Sequence, residues 1–410
     1  MCGSSSSSSC THRSLGFPFG GTTFAKLWWA IGRGIPFLWA LKGVVVFGGY
    51  PYPEREKDGY FQRVRAVDSL LGGQWRVYVD LWNLPHRTTW YDRPAPNTLV
   101  LRIAGGKKRR LVVTFLTVLC VLRCRAVWFH SVHSIQGFGC LMKLPGITSV
   151  LDVHGAVPEE CLYQGDVSGE PRLSLDEKLA VSRADYIVVV STAMGCHLQR
   201  KYTNTIGGQL ITFPIFPKLV ADRTAKTYRN GEPIVVYAGG LQKWQQVPKI
   251  VDAIGKTADV YVYELFCPDP TTMSNMLPKE LQSSPRVMVD CKPHTELLHA
   301  YRQCHFGLLL REDTILNHVA CPTKLVEYIA MGIVPILESP QIGDFESLGM
   351  RYVRLQDLVS RQLPDEETRN YIAQDNLVVF DRLTAIQAEG MERLVRALGS
   401  LQCATPSGGS

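Results

Sequence analysis

The feature that most limits the fold is a repeated alternation of short apolar runs with stretches of helical spacing. VVVFGGY (Val44 to Tyr50) reads as a buried strand ending in a glycine turn. DGYFQRVRAVDSLL (Asp58 to Leu71) reads as the amphipathic helix after it. RVYVDL, TLVLRI, AVWFHS and TSVLDVHG read as further strands, SLDEKLAVSRA has helical spacing, and YIVVVS (Tyr186 to Ser191) closes the first round. A proline-bracketed segment, FPIFP (Phe213 to Pro217), interrupts the pattern. It restarts with PIVVYAGG (Pro233 to Gly240), a helix near Val247 to Ile254, then the strands DVYVYEL, RVMVD, FGLLL and IVPIL. Strands that are apolar throughout must be covered on both faces, which points to parallel sheets flanked by helices.

The predicted architecture is therefore α/β: two doubly wound halves joined by a stiff hinge and facing one another across a cleft. Doubly wound sheets collect ligands outside the carboxyl ends of their strands, so chemistry is sought in the turns that follow those strands. The predicted domains are 43–215 and 216–376, followed by a helical stretch, Leu377 to Leu401, expected to reach back over the first half. Residues 1–42 read as a low-complexity start plus an apolar, aromatic segment, and 402–410 as a disordered tail.

Composition narrows the function classes. The chain has 410 residues, is 46% hydrophobic and 20% charged, and has room for two domains. Its net charge of +7 is mild and no block resembles a nucleic-acid-binding tail, so nucleic acid is not expected as a partner. The strongest basic cluster, Lys107, Lys108, Arg109 and Arg110, reads as a solvated helix start or as a helix meeting acidic lipid. Twelve cysteines occur without CxxC pairs or zinc-ligand spacing to histidine, so neither a metal site nor a disulfide framework is expected, and a reduced, cytoplasmic setting fits. No secretory leader is read in MCGSSSSSSC. LVVTFLTVLCVL (Leu111 to Leu122) is too short to span a bilayer. FAKLWWAIGRGIPFLWAL (Phe24 to Leu41), with Lys26 and Arg33 on one face, reads as peripheral membrane contact or as packing on the protein's own surface.

The densest chemical signal is ACPTKLVEYIAMG (Ala320 to Gly332). Pro322 suits the first helical position and Gly332 the helix end. Free N–H groups near Pro322, Thr323 and Lys324 form an anion site, to which Lys324 adds a full charge. Glu327 presents a carboxylate about 5 Å further along the helix. A nucleoside diphosphate, with its ribose hydroxyls on Glu327, fits this pattern. So does a surface Lys–Glu pair worth a few tenths of a kcal/mol.

EYIAMGIVPI (Glu327 to Ile336) resembles the second half of the E-x7-E motif of family 4 GT-B glycosyltransferases, and Pro322 to Tyr328 matches the related P-T-K-x-x-E-Y. The first glutamate of the motif falls at Val319 and is missing. The resemblance implies two facing Rossmann-like domains (the GT-B fold). It implies a nucleotide-diphosphate sugar as donor substrate, no cofactor or metal, and retaining transfer to a hydroxyl of a glycan or lipid-linked sugar. On the donor side it brings in Gly239, Gly240 and Lys243 of VVYAGGLQKW, Arg311 at a strand end, and Pro322, Thr323, Lys324 and Glu327. Gly240 stands where the family often has arginine, which shifts weight to Lys243.

On the acceptor side, SVLDVHGAVPEE (Ser149 to Glu160) is similar to the family's D-x-H-G-x-x-P-E and brings in Asp152 and His154. Gly48, Gly49 and Arg63 fill the place of its first glycine loop. The catalytic roles implied fall on His154, Lys324 and Glu327. Plainer readings stand beside these: glycine turns, solvated or ion-paired charges, and a histidine satisfied by backbone. Glu159 and Glu160 are open between base and bystander. Asn317 reads as a turn, Asp269 as a lone turn aspartate with no DxD pair, and Ser191, Thr192 and Met194 as the cleft floor. Two other functions share the pattern: a sugar-nucleotide 2-epimerase of the same fold, and a glycosyltransferase-like partner that binds without turnover.

Overall fold

The computed structural model describes residues 43–398, except 56–58, 82–90, 104–106, 215, 217–218 and 229–230, and without the side chains of Lys108 and Arg109. The low-complexity start, the segment Phe24 to Leu41 and the tail lie outside the described residues.

The first sheet holds β1 (Val44–Phe47), β2 (Arg76–Asp80), β3 (Tyr91–Ala95), β4 (Thr98–Arg102), β5 (Ala126–His130), β6 (Thr148–Val153), β7 (Tyr186–Val189) and β8 (Gln209–Thr212). Their order is β3-β4-β2-β1-β5-β6-β7-β8, parallel apart from the β3–β4 pair. β3 carries Pro94 and is largely solvent-facing, as a proline that cannot donate to a ladder requires of an edge. The second sheet holds β9 (Ile234–Ala238), β10 (Val262–Phe266), β11 (Val287–Asp290), β12 (Phe306–Leu308), β13 (Val334–Leu337) and β14 (Val353–Arg354). Its order is β11-β10-β9-β12-β13-β14, all parallel. The central strands β1, β5 and β9 are buried along their whole length, because helices cover both faces.

The helices that matter below are α1 (Gly59–Leu71), α2 (Lys107–Val121), α3 (Val157–Tyr163), α4 (Glu170–Arg183), α5 (Thr192–Lys201), α6 (Val247–Thr257), α7 (His294–Tyr301), α8 (Thr323–Ala330) and α9 (Glu366–Ala397). α9 begins eleven residues before the Leu377 read from sequence. Asp365 caps it by accepting from the Thr368 N–H, and the polar first turns hid the helical period. Leu377, Val379, Phe380 and Leu383 of α9 are buried, the last three in the core of the second domain. Further along, Gly390 lies against Thr212 and Phe213, Arg393 donates to the Leu210 carbonyl, and Leu394 and Leu398 enter the core of the first domain.

A second tie joins the two sheets at the floor of the cleft. Ser191, at the end of β7, donates to the Val319 carbonyl at 2.6 Å. The first free N–H groups of α5, on Thr192 and Ala193, donate to the two carboxylate oxygens of Asp344 at 2.6 and 2.8 Å. A helix start is a partial positive charge, so a carboxylate from the other domain is a fitting stopper for it.

Candidate active site

Adjacent parallel strands that end in register bring their last residues together. β5 and β6 pair His130 with Asp152, and two residues later the chain turns at His154 and Gly155. Asp152 is fully buried, and Arg63 of α1 grips it through Nε, at 2.9 and 3.1 Å from the two oxygens, and through Nη2. The His130 Nδ1 lies 3.1 Å and the His154 Nε2 2.8 Å from Asp152 Oδ2. Burial alone pushes the Asp152 carboxyl up, but the Arg63 guanidinium and the two imidazoles outweigh it and hold the group well below the usual carboxylate range. Burial also drives the His154 pKa down to about 4 against the pull of Asp152, and lowers that of His130. His154 is thus a neutral imidazole. With Nε2 held by the carboxylate, its Nδ1 has no protein partner although it is buried. The donor atoms of His130, Asp152 and His154 lie within 4.8 Å of one another, spacing that suits a metal, yet the Arg63 fork already occupies the carboxylate with a cation. The set reads as an oriented hydrogen-bonding cluster.

Gly48 and Gly49, in the turn after β1, sit under this cluster: a Cβ on Gly48 would press on His130, and one on Gly49 on Phe61. Arg63 is committed to Asp152 and to the Phe213 carbonyl, so it supports this cluster from beneath. Of the two glutamates in α3, Glu159 is bound by His197 and Lys201, which overcome its burial and hold it at about 2. Glu160 lines the cleft, and burial, with Glu159 and Glu177 nearby, raises its carboxyl.

Across the cleft, α8 begins at Thr323, one position later than the sequence placed it, with Pro322 as its cap in extended backbone (ψ 119°). Gly332 ends the helix with a φ of 63°, a conformation glycine adopts without penalty. Lys324 and Glu327 do not pair with each other. The Lys324 Nζ lies 4.8 Å from the ring centroid of Tyr237 and donates to Gln245 Oε1 at 3.2 Å. Gly239 stands at the end of β9, where any Cβ would collide with that ammonium. Burial, reinforced by Arg311, lowers the Lys324 pKa to about 7. Arg311 follows β12, donates to Asn317 Oδ1 at 3.2 Å, and leaves its buried Nε without a partner. Two desolvated cations thus share one spot at a helix start. Glu327, buried, is engaged by His294 at 2.8 Å, and this bond raises the histidine's pKa.

A cleft of about 280 Å3 lies between the halves, walled by His154, Glu160 and Tyr163 on one side and by Trp244, Arg311 and Asn317 on the other. Gly240 accepts from the Tyr237 hydroxyl through its carbonyl and lies beside the Gln242 side chain. Lys243 is exposed, its ammonium 4.9 Å from the Tyr163 ring centroid. The structure therefore brings Gly239, Arg311, Thr323 and Lys324 together, sets Glu327 one turn on, and groups Gly48, Arg63, Asp152 and His154 opposite. The sequence reading missed His130, Gln245 and His294. His130 was findable, since it closes a strand as His154 nearly closes the next. Gln245 ends a single 3-10 turn and His294 opens α7, positions that carry no sequence pattern of their own.

Two parallel sheets flanked by helices, the first with one antiparallel edge strand, facing across a cleft and tied by a returning C-terminal helix, constitute the GT-B fold. Among solved structures the chain is similar to the sucrose-phosphate synthase tll1590 from Thermosynechococcus elongatus, with 15% identity and a TM-score of 0.62 over 87% of this chain and 99% of that one. It is also similar to Alr3699/HepE from Anabaena in complex with UDP and glucose (11% identity, TM-score 0.60, 87% and 100% covered). The apo structure of OtsA is a third (11%, 0.59, 88% and 99%). No protein-family model matches the chain, and no curated protein matches it in sequence. At these identities the likeness is one of fold.

Proposed function

We propose that the chain is a glycosyltransferase that moves a sugar from a nucleotide-diphosphate sugar to a hydroxyl of a glycan or lipid-linked acceptor. The observation that carries this reading is the placement of Arg311 and Lys324, two cations forced out of water beside the start of α8 and lacking an acidic partner at hydrogen-bond distance. Such a site is costly without a ligand and fits a phosphate group. The likeness to HepE, solved with UDP and glucose and also with UDP-glucose, supports a uridine nucleotide as the donor carrier.

In the reaction the bond from the sugar's anomeric carbon to the diphosphate oxygen breaks, and a bond from that carbon to the acceptor oxygen forms. Charge grows on the departing diphosphate, where Lys324, Arg311 and the α8 N–H groups are already oriented to meet it. Glu327, held by His294, receives the ribose hydroxyls. The free Nδ1 of His154 accepts a hydrogen bond from a sugar hydroxyl. Glu160, whose raised pKa suits a base, takes the acceptor's proton. The family resemblance favours retention of configuration and family 4 membership, with the donor's diphosphate stabilised by protein cations and dipoles.

The test is thermal stability with UDP, GDP, ADP and their sugar conjugates, beside Glu327→Ala. A nucleotide at 100 times its dissociation constant adds about 2.7 kcal/mol to the folded state, so one of them should raise the midpoint, and Glu327→Ala should lose that response. If none shifts it, the donor site is rejected. A second reading is favoured by the His130–Asp152–His154 cluster, which supplies the histidine and carboxylate that a sugar-nucleotide 2-epimerase needs. Incubation with UDP-sugar alone separates the two: an epimerase converts the sugar without an acceptor, and a transferase does not.

A further inference from the structure

Between Asp92 and Asp152 the sequence holds nine Lys or Arg and no Asp or Glu (Arg93, Arg102, Lys107, Lys108, Arg109, Arg110, Arg123, Arg125 and Lys143). This stretch carries a net charge of +9 in a chain whose total is +7, so the remainder is slightly acidic. Its central element is α2, which packs Val113, Thr117, Cys120 and Val121 into the first domain. The opposite face is unlike an ordinary solvated helix surface. Leu111 is 73% exposed, Phe115 62% and Leu122, one residue beyond the helix end, 61%. Steps of four and seven residues set these three on one stripe roughly 16 Å long, with half-buried Val118 on the same line. Lys107, exposed, continues that stripe toward the helix start, and Arg110, also exposed, flanks it.

We propose that this face of α2 is where the protein lies on an anionic lipid surface. A helix with basic residues at one end and bulky apolar residues along the same side fits a bilayer interface, where the apolar stripe enters the acyl boundary and the cations meet acidic headgroups. Charge decides among occupants. A second copy packed face to face would bring its own Lys107 and Arg110 against these. Residues 1–42 carry Arg13, Lys26, Arg33 and Lys42 and no acidic residue, a charge that does not complement this face. No helix among the described residues is long and apolar enough to cross a membrane, so the contact is lateral. The proposal does not depend on the sugar-transfer reading, because α2 lies outside the cleft residues.

The experiment is co-sedimentation of the full chain with vesicles of phosphatidylcholine alone and of equal parts phosphatidylcholine and phosphatidylglycerol, at low and high salt. Three proteins are compared: wild type, Lys107→Gln/Arg110→Gln, and Leu111→Ser/Phe115→Ser. Wild type should partition to the anionic vesicles and release with salt. Each lost cation should weaken partitioning about fivefold, and the apolar double variant at least about tenfold. Unchanged thermal midpoints confirm that the variants fold. The proposal is overturned if wild type ignores anionic vesicles or binds both kinds equally. It is also overturned if the apolar variant partitions like wild type, which would place binding elsewhere in the chain. A dimer seen by light scattering that Leu111→Ser/Phe115→Ser dissociates would make a second copy the occupant and reject the lipid surface.

Discussion

The ammonium of Lys324 gives the most direct handle on the proposed donor site. Its pKa is lowered to about 7 by burial and by Arg311, so near neutral pH half the free molecules carry it uncharged. A bound diphosphate requires the charged form, so the free protein above pH 7 must first take up a proton. With a free-state pKa of about 7 and a ligand that keeps the ammonium charged across this range, the population able to bind falls about 50-fold from pH 7 to pH 9, equivalent to about 2 kcal/mol. Over that window the β-phosphate of UDP is already largely ionised, so the ligand contributes little to the slope. Isothermal titration of UDP at pH 7, 8 and 9 should show the affinity weakening toward that factor. In Lys324→Arg, a side chain that stays charged, the slope should flatten. The same shift has a stability consequence of known sign. A lysine whose folded pKa lies below its unfolded value penalises folding fully below pH 7, and the penalty is relieved as pH rises from 7 toward 10. Lys324→Met should therefore raise the unliganded midpoint at pH 6 by more than at pH 9, by up to about 2 kcal/mol once partial water access is discounted, while abolishing the response to UDP. A wild-type affinity that changes less than threefold from pH 7 to 9 would refute the assignment.

Three further substitutions probe the framework. Gly239→Ala should leave the fold intact but displace the Lys324 ammonium, cutting UDP affinity by about tenfold, as read by the same titration, through loss of one charged hydrogen bond. Arg63→Met strands the buried Asp152 carboxylate and should cost roughly 3 to 5 kcal/mol in denaturant unfolding at pH 7. The loss should shrink at acid pH, where the orphaned carboxyl can protonate. Asp344→Ala frees the first N–H groups of α5 and should cost about 1 to 2 kcal/mol, with small-angle scattering showing a wider spread of domain separations.

The strands and the helix spacing were legible because unbroken apolar runs such as VVVF and IVVYA have one physical solution, burial on both faces. The PTKLVEY segment declared a helix start and a cation at it from local rules alone. Helix α9 was read short, since its first turns are held by a cap and by tertiary packing and not by amphipathic spacing. What the sequence could not decide is which charges are compensated. Glu159 and Glu160 are neighbours in the chain, yet one faces His197 and Lys201 and the other the cleft. Arg63 looks like a free surface cation in its helix and is found 89 positions away from its partner, beneath a buried carboxylate. Lys243 follows a glycine turn and Lys324 opens a helix, and burial separates them: one stays in water over Tyr163, the other is desolvated against Arg311. Secondary structure follows from periodicity and local propensity, which are written along the chain. Protonation and pairing follow from distances between residues far apart in sequence, and only the packing of the two sheets sets those.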